Sequence, residues 1–132
     1  VDAKGSFVEK LKKIKPSKVF NALHGQFGED GFVQSILENL KIPYTHSGVI
    51  SSSLAMDKEL SRIIFKKKKL KVPSYFILNS DSINNFKKKQ FIKKIKFPKV
   101  VKPINEGSSL GVHICGNMKE FKKNSKLYSN CR

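Results

Sequence analysis

Val19-Phe20-Asn21-Ala22-Leu23-His24-Gly25-Gln26-Phe27-Gly28-Glu29-Asp30-Gly31 passes from an apolar run into a glycine-rich polar turn, and its flanks decide the fold. Residues 19–23 predict a short buried strand ending at His24-Gly25. Downstream, Phe32, Val33, Ile36, Leu37 and Leu40 recur at helical spacing, and Ile42-Pro43-Tyr44 returns to extended chain. Upstream, Phe7, Leu11 and Ile14 stand at i, i+4, i+7 with lysines opposite, a helix face that Pro16 stops. Helix–strand–helix–strand is the order of a parallel α/β sheet. The strand expected before the first helix is absent, so the sheet reads as lacking an edge.

Further along, Leu54, Leu60, Ile63, Ile64 and Phe65 predict a helix from Ser53 to about Lys68, broken by Val72-Pro73. Ser74–Leu78 reads as a strand, and 82–95 as a lysine-faced helix on Ile83, Phe86, Phe91, Ile92 and Ile95. Two strands follow, 99–102 and 110–114, joined by Pro103-Ile104-Asn105-Glu106-Gly107-Ser108-Ser109, and then a short helix over 117–123. Residues 125–132 show no clear pattern. Charge divides the chain: residues 1–55 hold 7 basic and 5 acidic residues, and 56–132 hold 20 and 5. That shift predicts a domain boundary near Met56, with 1–55 a partial α/β domain and 56–132 the start of an α+β domain.

The 132 residues carry a formal charge of +17, which invites a polyanionic partner. Of the 27 basic residues, however, only Arg62 and Arg132 are arginine, the residue that grips phosphates and guanines bidentately. Lys, Ile, Asn and Phe are together the products of AT-rich codons, so a drift in base composition accounts for the charge without a nucleic-acid partner. At 39% hydrophobic the chain can bury a core. No apolar run approaches the ~18 residues that cross a bilayer, and no signal-peptide pattern opens the chain. Cys115 and Cys131 are too far apart for a paired-cysteine metal or redox motif, and two thiols in such a chain fit a reducing cytosol.

Three segments carry chemistry. The 103–109 loop sets Gly107 before Ser108 and Ser109 between strands, so its amides and hydroxyls can donate to phosphate oxygens, with Lys102 close at the strand end. It reads equally as an ordinary hairpin with Gly at positive φ. The His24–Gly31 turn lies at the carboxyl end of a strand and before a helix, where parallel sheets place ligands. There His24 and Glu29 could pair, or the turn could be structural, with Asp30 capping the helix. In Met56-Asp57-Lys58, Asp57 can cap a helix and Lys58 reads as one more solvated lysine.

In order and spacing, these segments together are similar to another set. Val19–Gly25, Phe27–Gly31 with Gln34, Pro43-Tyr44-Thr45 with Ser47-Gly48, Ala55–Lys58, Val100–Pro103 and Glu106–Val112 resemble the D-alanine–D-alanine ligases of the ATP-grasp superfamily over roughly residues 1–124. The resemblance implies a partial Rossmann-like pre-ATP-grasp domain followed by the first, α+β part of an ATP-grasp domain. It implies ATP-dependent phosphorylation of one D-alanine carboxylate, attack of a second D-alanine's amine on the acyl phosphate, and release of D-alanyl-D-alanine for peptidoglycan synthesis. It further implies Lys58 and Lys102 as phosphate-contacting lysines, Gly107, Ser108 and Ser109 as a mobile loop over the phosphates, Ser108 as an aid to positioning substrate, and His24 supported by Glu29 at the D-alanine cleft. Mg²⁺ (or Mn²⁺), D-alanine and ATP are the implied partners, with a cytoplasmic homodimer, no nucleic acid and no membrane. Metal ligands are expected in a carboxyl-terminal region beyond this sequence, as whole ligases are more than twice as long. The family usually carries Arg at Gln26 and Gly at His46; the second replacement falls where a permissive backbone is expected. A D-alanine–D-lactate ligase and a basic nucleic-acid-binding module are the alternatives.

Overall fold

The apolar spacing over 7–14 produces helix α1 (Phe7–Ile14), which buries Phe7 and Leu11 and leaves Ile14 exposed. The computed structural model describes residues 5–84 and 96–128, in two units: Val1–Lys71 with Ile104–Ser108, and Val72–Pro103 with Ser109–Arg132. At the end of α1 the chain turns left-handed at Lys15 (φ 50°), whose amide bonds back to the Leu11 carbonyl at 2.9 Å, and Pro16 bars another turn.

In the first unit, helix α2 (Phe32–Asn39) buries Val33, Gln34 and Leu37. Phe7, Leu11, Val33 and Leu37 form the core, backed by Val19, Leu23, Ile36, Ile42 and Tyr44. Val19 pairs in parallel with Tyr44: its amide donates to Pro43 O at 2.8 Å, and its carbonyl accepts from Thr45 N at 3.0 Å. With α2 as the connection, this is the parallel crossover that the sequence order predicts. The expected strand over 19–23 is much shorter, because backbone pairing stops at Val19 and side chains take over at Asn21.

The single helix expected from Ser53 to Lys68 is two, α3 (Val49–Met56) and α4 (Lys58–Lys67), separated by Asp57 in extended conformation (φ −80°, ψ 110°). Apolar spacing alone does not reveal the break; cap chemistry causes it. The Asp57 carboxylate accepts from Glu59 N at 2.8 Å and Leu60 N at 2.9 Å, which restarts the helix. The Ser61 hydroxyl donates to Leu54 O at 2.9 Å and Ala55 O at 3.2 Å, satisfying carbonyls at the end of α3. α4 buries none of its residues, and Leu60, Ile63, Ile64 and Phe65 are exposed.

In the second unit, residues 74–78 run without regular structure rather than as the expected strand. Helix α5 is described over Ser80–Asn84, and the rest of the helix expected over 82–95 lies outside the described residues. Strands β1 (Lys99–Val101) and β2 (His113–Cys115) pair antiparallel with Val100 opposite Ile114. β2 starts three residues later than expected, because Ser108, Ser109 and Gly111 all take positive φ and hold the preceding chain in turns. Helix α6 (Met118–Lys126) is capped by Asn117, whose side chain accepts from Glu120 N at 3.0 Å, and it seats Phe121 against Ile83, Val101 and Cys115. No helix of the described residues is long and apolar enough to cross a membrane.

Candidate functional site

The first unit brings together three segments far apart in sequence: the His24–Gly31 turn, the Asp57–Lys58 corner and the 104–108 segment. The turn is internally tied. Glu29 Oε2 accepts from Gly25 N at 2.6 Å while Glu29 N donates to Gly25 O at 2.9 Å, closing a small ring of chain. The expected His24–Glu29 pair is therefore not formed; the carboxylate holds a backbone amide, and His24 stands exposed beside it. Asp30 acts as a cap, though from one position before the expected one. The N-cap residue is Gly31, while the two carboxylate oxygens of Asp30 accept from Phe32 N at 3.0 Å and Phe27 N at 2.8 Å. Gly31 is required on two grounds, a φ of 97° and the crowding of Ser53 Oγ and Val49 O, which would lie 2.5 and 2.8 Å from any Cβ.

Lys58 is not the solvated lysine that its isolated reading predicts. The α3–α4 break places it at the first position of α4, where its backbone amide donates to Ile104 O at 3.2 Å and its ammonium donates to Ile104 O at 3.1 Å and to Glu106 O. The cation thus gathers two carbonyls of the 104–106 segment. The next residue, Gly107, passes so close over the turn that a Cβ there would lie 3.3 Å from Glu29 Oε2 and 3.4 Å from Gly25 Cα. An open cleft of about 430 Å³ borders these parts, lined by Gln26, Asp30, Ser53, Met56, Asp57, Leu60, Asn105 and Glu106. Ser108 follows, exposed and left-handed (φ 47°).

Lys102 and Ser109 belong to the second unit; Lys102 follows β1 and is exposed, and Ser109 is exposed at φ 59°. The hairpin reading of this loop expected Gly at positive φ; the left-handed residues are Ser108, Ser109 and Gly111 instead. Two adjacent non-glycine residues in that region are uncommon, and such conformations cluster where loops bind ligands. Among the described residues no group of three His, Cys, Asp or Glu side chains is placed to hold a metal ion. Sequence reasoning missed Ser53, whose hydroxyl donates to Asp30 O at 2.6 Å, and Ser61 at the corner. No local signal marks either.

Two segments of the chain match family models. Residues 2–47 match the D-ala D-ala ligase N-terminus, and residues 64–129 match the D-ala D-ala ligase C-terminus. The chain is 58% identical over 105 residues to the D-alanine–D-alanine ligase of Pelagibacter ubique, covering 80% of this chain and 34% of that protein. It is 44% identical over 131 residues to the ligase of the Wolbachia of Brugia malayi, covering 98% of this chain and 37% of that protein. Among solved structures, the D-alanine–D-alanine ligase of Bacillus anthracis superposes with a TM-score of 0.80 at 36% identity, over 97% of this chain and 40% of that one. The same bacterium's ligase complexed with ATP gives 0.76 at 31% identity, over 96% of this chain and 41% of that one. An α/β unit carrying a parallel crossover, followed by an α+β unit, is thus the architecture of the ATP-grasp ligases. Within that class, this chain belongs to the D-alanine–D-alanine ligase family. It spans 34% and 37% of the length of these two relatives.

Proposed function

We propose that the full-length gene product containing this chain is an ATP-dependent ligase that joins two D-alanines through a carbon–nitrogen bond, by way of an acyl phosphate, for peptidoglycan synthesis. The observation that carries the reading is the Lys58 anchor: it draws the 104–107 segment over the Gly25–Glu29 turn in a chain of this family. ATP as a substrate supplies the phosphoryl group that turns a poor carboxylate electrophile into one with a leaving group. The residues present suit such a substrate. Lys58 and Lys102 would contact phosphate, the Gly107, Ser108 and Ser109 amides and hydroxyls would donate to its oxygens, and positive charge would oppose the negative charge that develops. His24, held at the edge of the Glu29–Gly25 ring, would face the D-alanine cleft, and Ser108 would position substrate. Among the described residues no group of three His, Cys, Asp or Glu side chains is placed to hold a metal ion, and in this reading Mg²⁺ or Mn²⁺ would be held by residues of the full-length gene product outside this chain. In this reading the nucleotide-binding part starts near Met56, and the enzyme is a cytoplasmic homodimer.

The test is D-alanine-dependent phosphate release from ATP by the full-length gene product, with D-alanyl-D-alanine identified by mass. Turnover with D-alanine alone is expected, and Lys58→Ala should lower kcat/KM for ATP by roughly 100-fold, the scale of removing one stabiliser of developing charge. No phosphate release with D-alanine would overturn the reading; release only when D-lactate is the second substrate would move it to the alternative ligase.

A further inference from the structure

We infer that Asn21 and Gln34 are positioning residues for the His24–Glu29 turn, acting together on one carbonyl. The inference rests on the functional reading above and extends it to two residues that touch no substrate. The Gly28 carbonyl accepts from Asn21 Nδ2 at 2.9 Å and from Gln34 Nε2 at 2.7 Å, so two amide donors hold a single acceptor. Both side chains lie in the core, with Asn21 4% and Gln34 1% exposed. Asn21 reaches the turn from the segment before it, just beyond the Val19 pairing, and Gln34 reaches it from the helix after it. Between them they fix Gly28 one residue before Glu29, whose carboxylate closes the ring on Gly25.

Asn21 is itself fixed by an unusual continuation of the sheet. A parallel partner for Asn21 would offer a backbone carbonyl and a backbone amide two residues beyond the Val19 pairing. Instead Asn21 N donates to the Thr45 hydroxyl at 3.0 Å, and Asn21 O accepts from His46 Nε2. The Asn21 Oδ1 meanwhile accepts from Leu23 N at 3.1 Å. Side chains of Thr45 and His46 stand in for strand backbone because the chain turns away at His46, whose φ is 83°. A left-handed histidine is what frees the imidazole to replace a ladder amide.

The Gln34 amide oxygen points to positioning rather than stability. It is buried and has no hydrogen-bond partner among the described residues. A buried acceptor left unpaired is a net cost, and an apolar side chain of similar shape would avoid it. What such a side chain could not do is donate to Gly28 O. The leading edge of the turn is equally constrained, since a Cβ on Gly28 would lie 2.4 Å from Leu23 Cβ, so turn and strand are packed without slack.

The deciding variant is Gln34→Met in the full-length gene product, which removes both the donor and the unpaired acceptor while keeping the volume. The expected result is unchanged or higher thermal stability, with KM for D-alanine raised about tenfold, kcat changed less than about twofold, and amide exchange at Gly25 and Glu29 accelerated about tenfold, the scale of a misplacement well under 1 Å. Asn21→Asp, which keeps the Leu23 acceptor and removes the donor, should shift the same amides. A purely structural role would lower stability while leaving KM and the exchange of the folded fraction unchanged, and that outcome overturns the inference. If the wild-type protein shows no D-alanine turnover, the functional reading fails, and the exchange at Gly25 and Glu29 still decides the positioning by itself.

Discussion

Gly31 and His46 occupy the same left-handed region of backbone for opposite reasons. At Gly31 a side chain would collide with Ser53 Oγ and Val49 O, so Gly31→Ala should destabilise the first unit by at least about 2 kcal/mol, a left-handed Cβ penalty plus the clash; urea unfolding measures it. At His46 the side chain is in use, donating to Asn21 O. His46→Ala keeps the backbone penalty and loses the bond, whereas His46→Gly loses the bond and relieves the penalty. Ala should therefore be the less stable variant by about 1 kcal/mol, and the reverse order would refute this account. Tyr44 adds a pH dependence. Its hydroxyl donates to Glu38 Oε1 at 2.7 Å; that bond first, then partial burial, then the Glu38 charge push the phenol above its ordinary 10.0. With the folded value raised, the stabilisation is complete below pH 10.0 and is lost as pH rises through the folded value. Tyr44→Phe should abolish that alkaline increment of destabilisation, which paired unfolding curves at neutral and high pH would show.

Helices carry most of the agreement between sequence and structure, because their signal is local. α1 and α2 lie where the spacing of Phe7, Leu11, Val33 and Leu37 puts them. Errors arise where a polar side chain overrides spacing. Asp57 splits one apolar stripe into two helices by taking two backbone amides. Asp57→Ala should cost about 1 kcal/mol, the usual weight of an N-cap, and Asp57→Asn should restore most of it; thermal unfolding distinguishes them. Strands are harder to read because their partners are remote: residues 19–23 pair at Val19 alone, and 110–114 gives way to a turn as far as Gly111. In the site, the glycines and His24 were visible as a turn, and the family motifs were visible in order. The partners were not. Lys58 is one lysine among 25 until the Asp57 break aims it at carbonyls 46 and 48 residues away. Asn21 and Gln34 converge on Gly28 only after strand and helix have packed.

For the molecule as a whole, the composition leads us to expect the charge of +17 to act as a solution property rather than as a recognition device. Among the described residues its lysines lie mainly on exposed positions, and only two arginines in the sequence offer the forks that read bases. Duplex DNA should be held weakly and released steeply as salt rises, without sequence preference; a salt-resistant, sequence-selective complex in a filter-binding titration would contradict that. The division into units has another effect. The chain leaves the first unit after Lys71, returns to it at Ile104 and departs again after Ser108, so the last piece of that unit is made long after the rest. Closing a loop of 46 residues between Lys58 and Ile104 is entropically costly. During synthesis the cleft beside Lys58 therefore stays open until residue 108 has left the ribosome, and by then the strand Lys99–Val101 has already emerged. The order of emergence links the two units in time: the first cannot make its last contacts before residues 72–103 of the second have been synthesised.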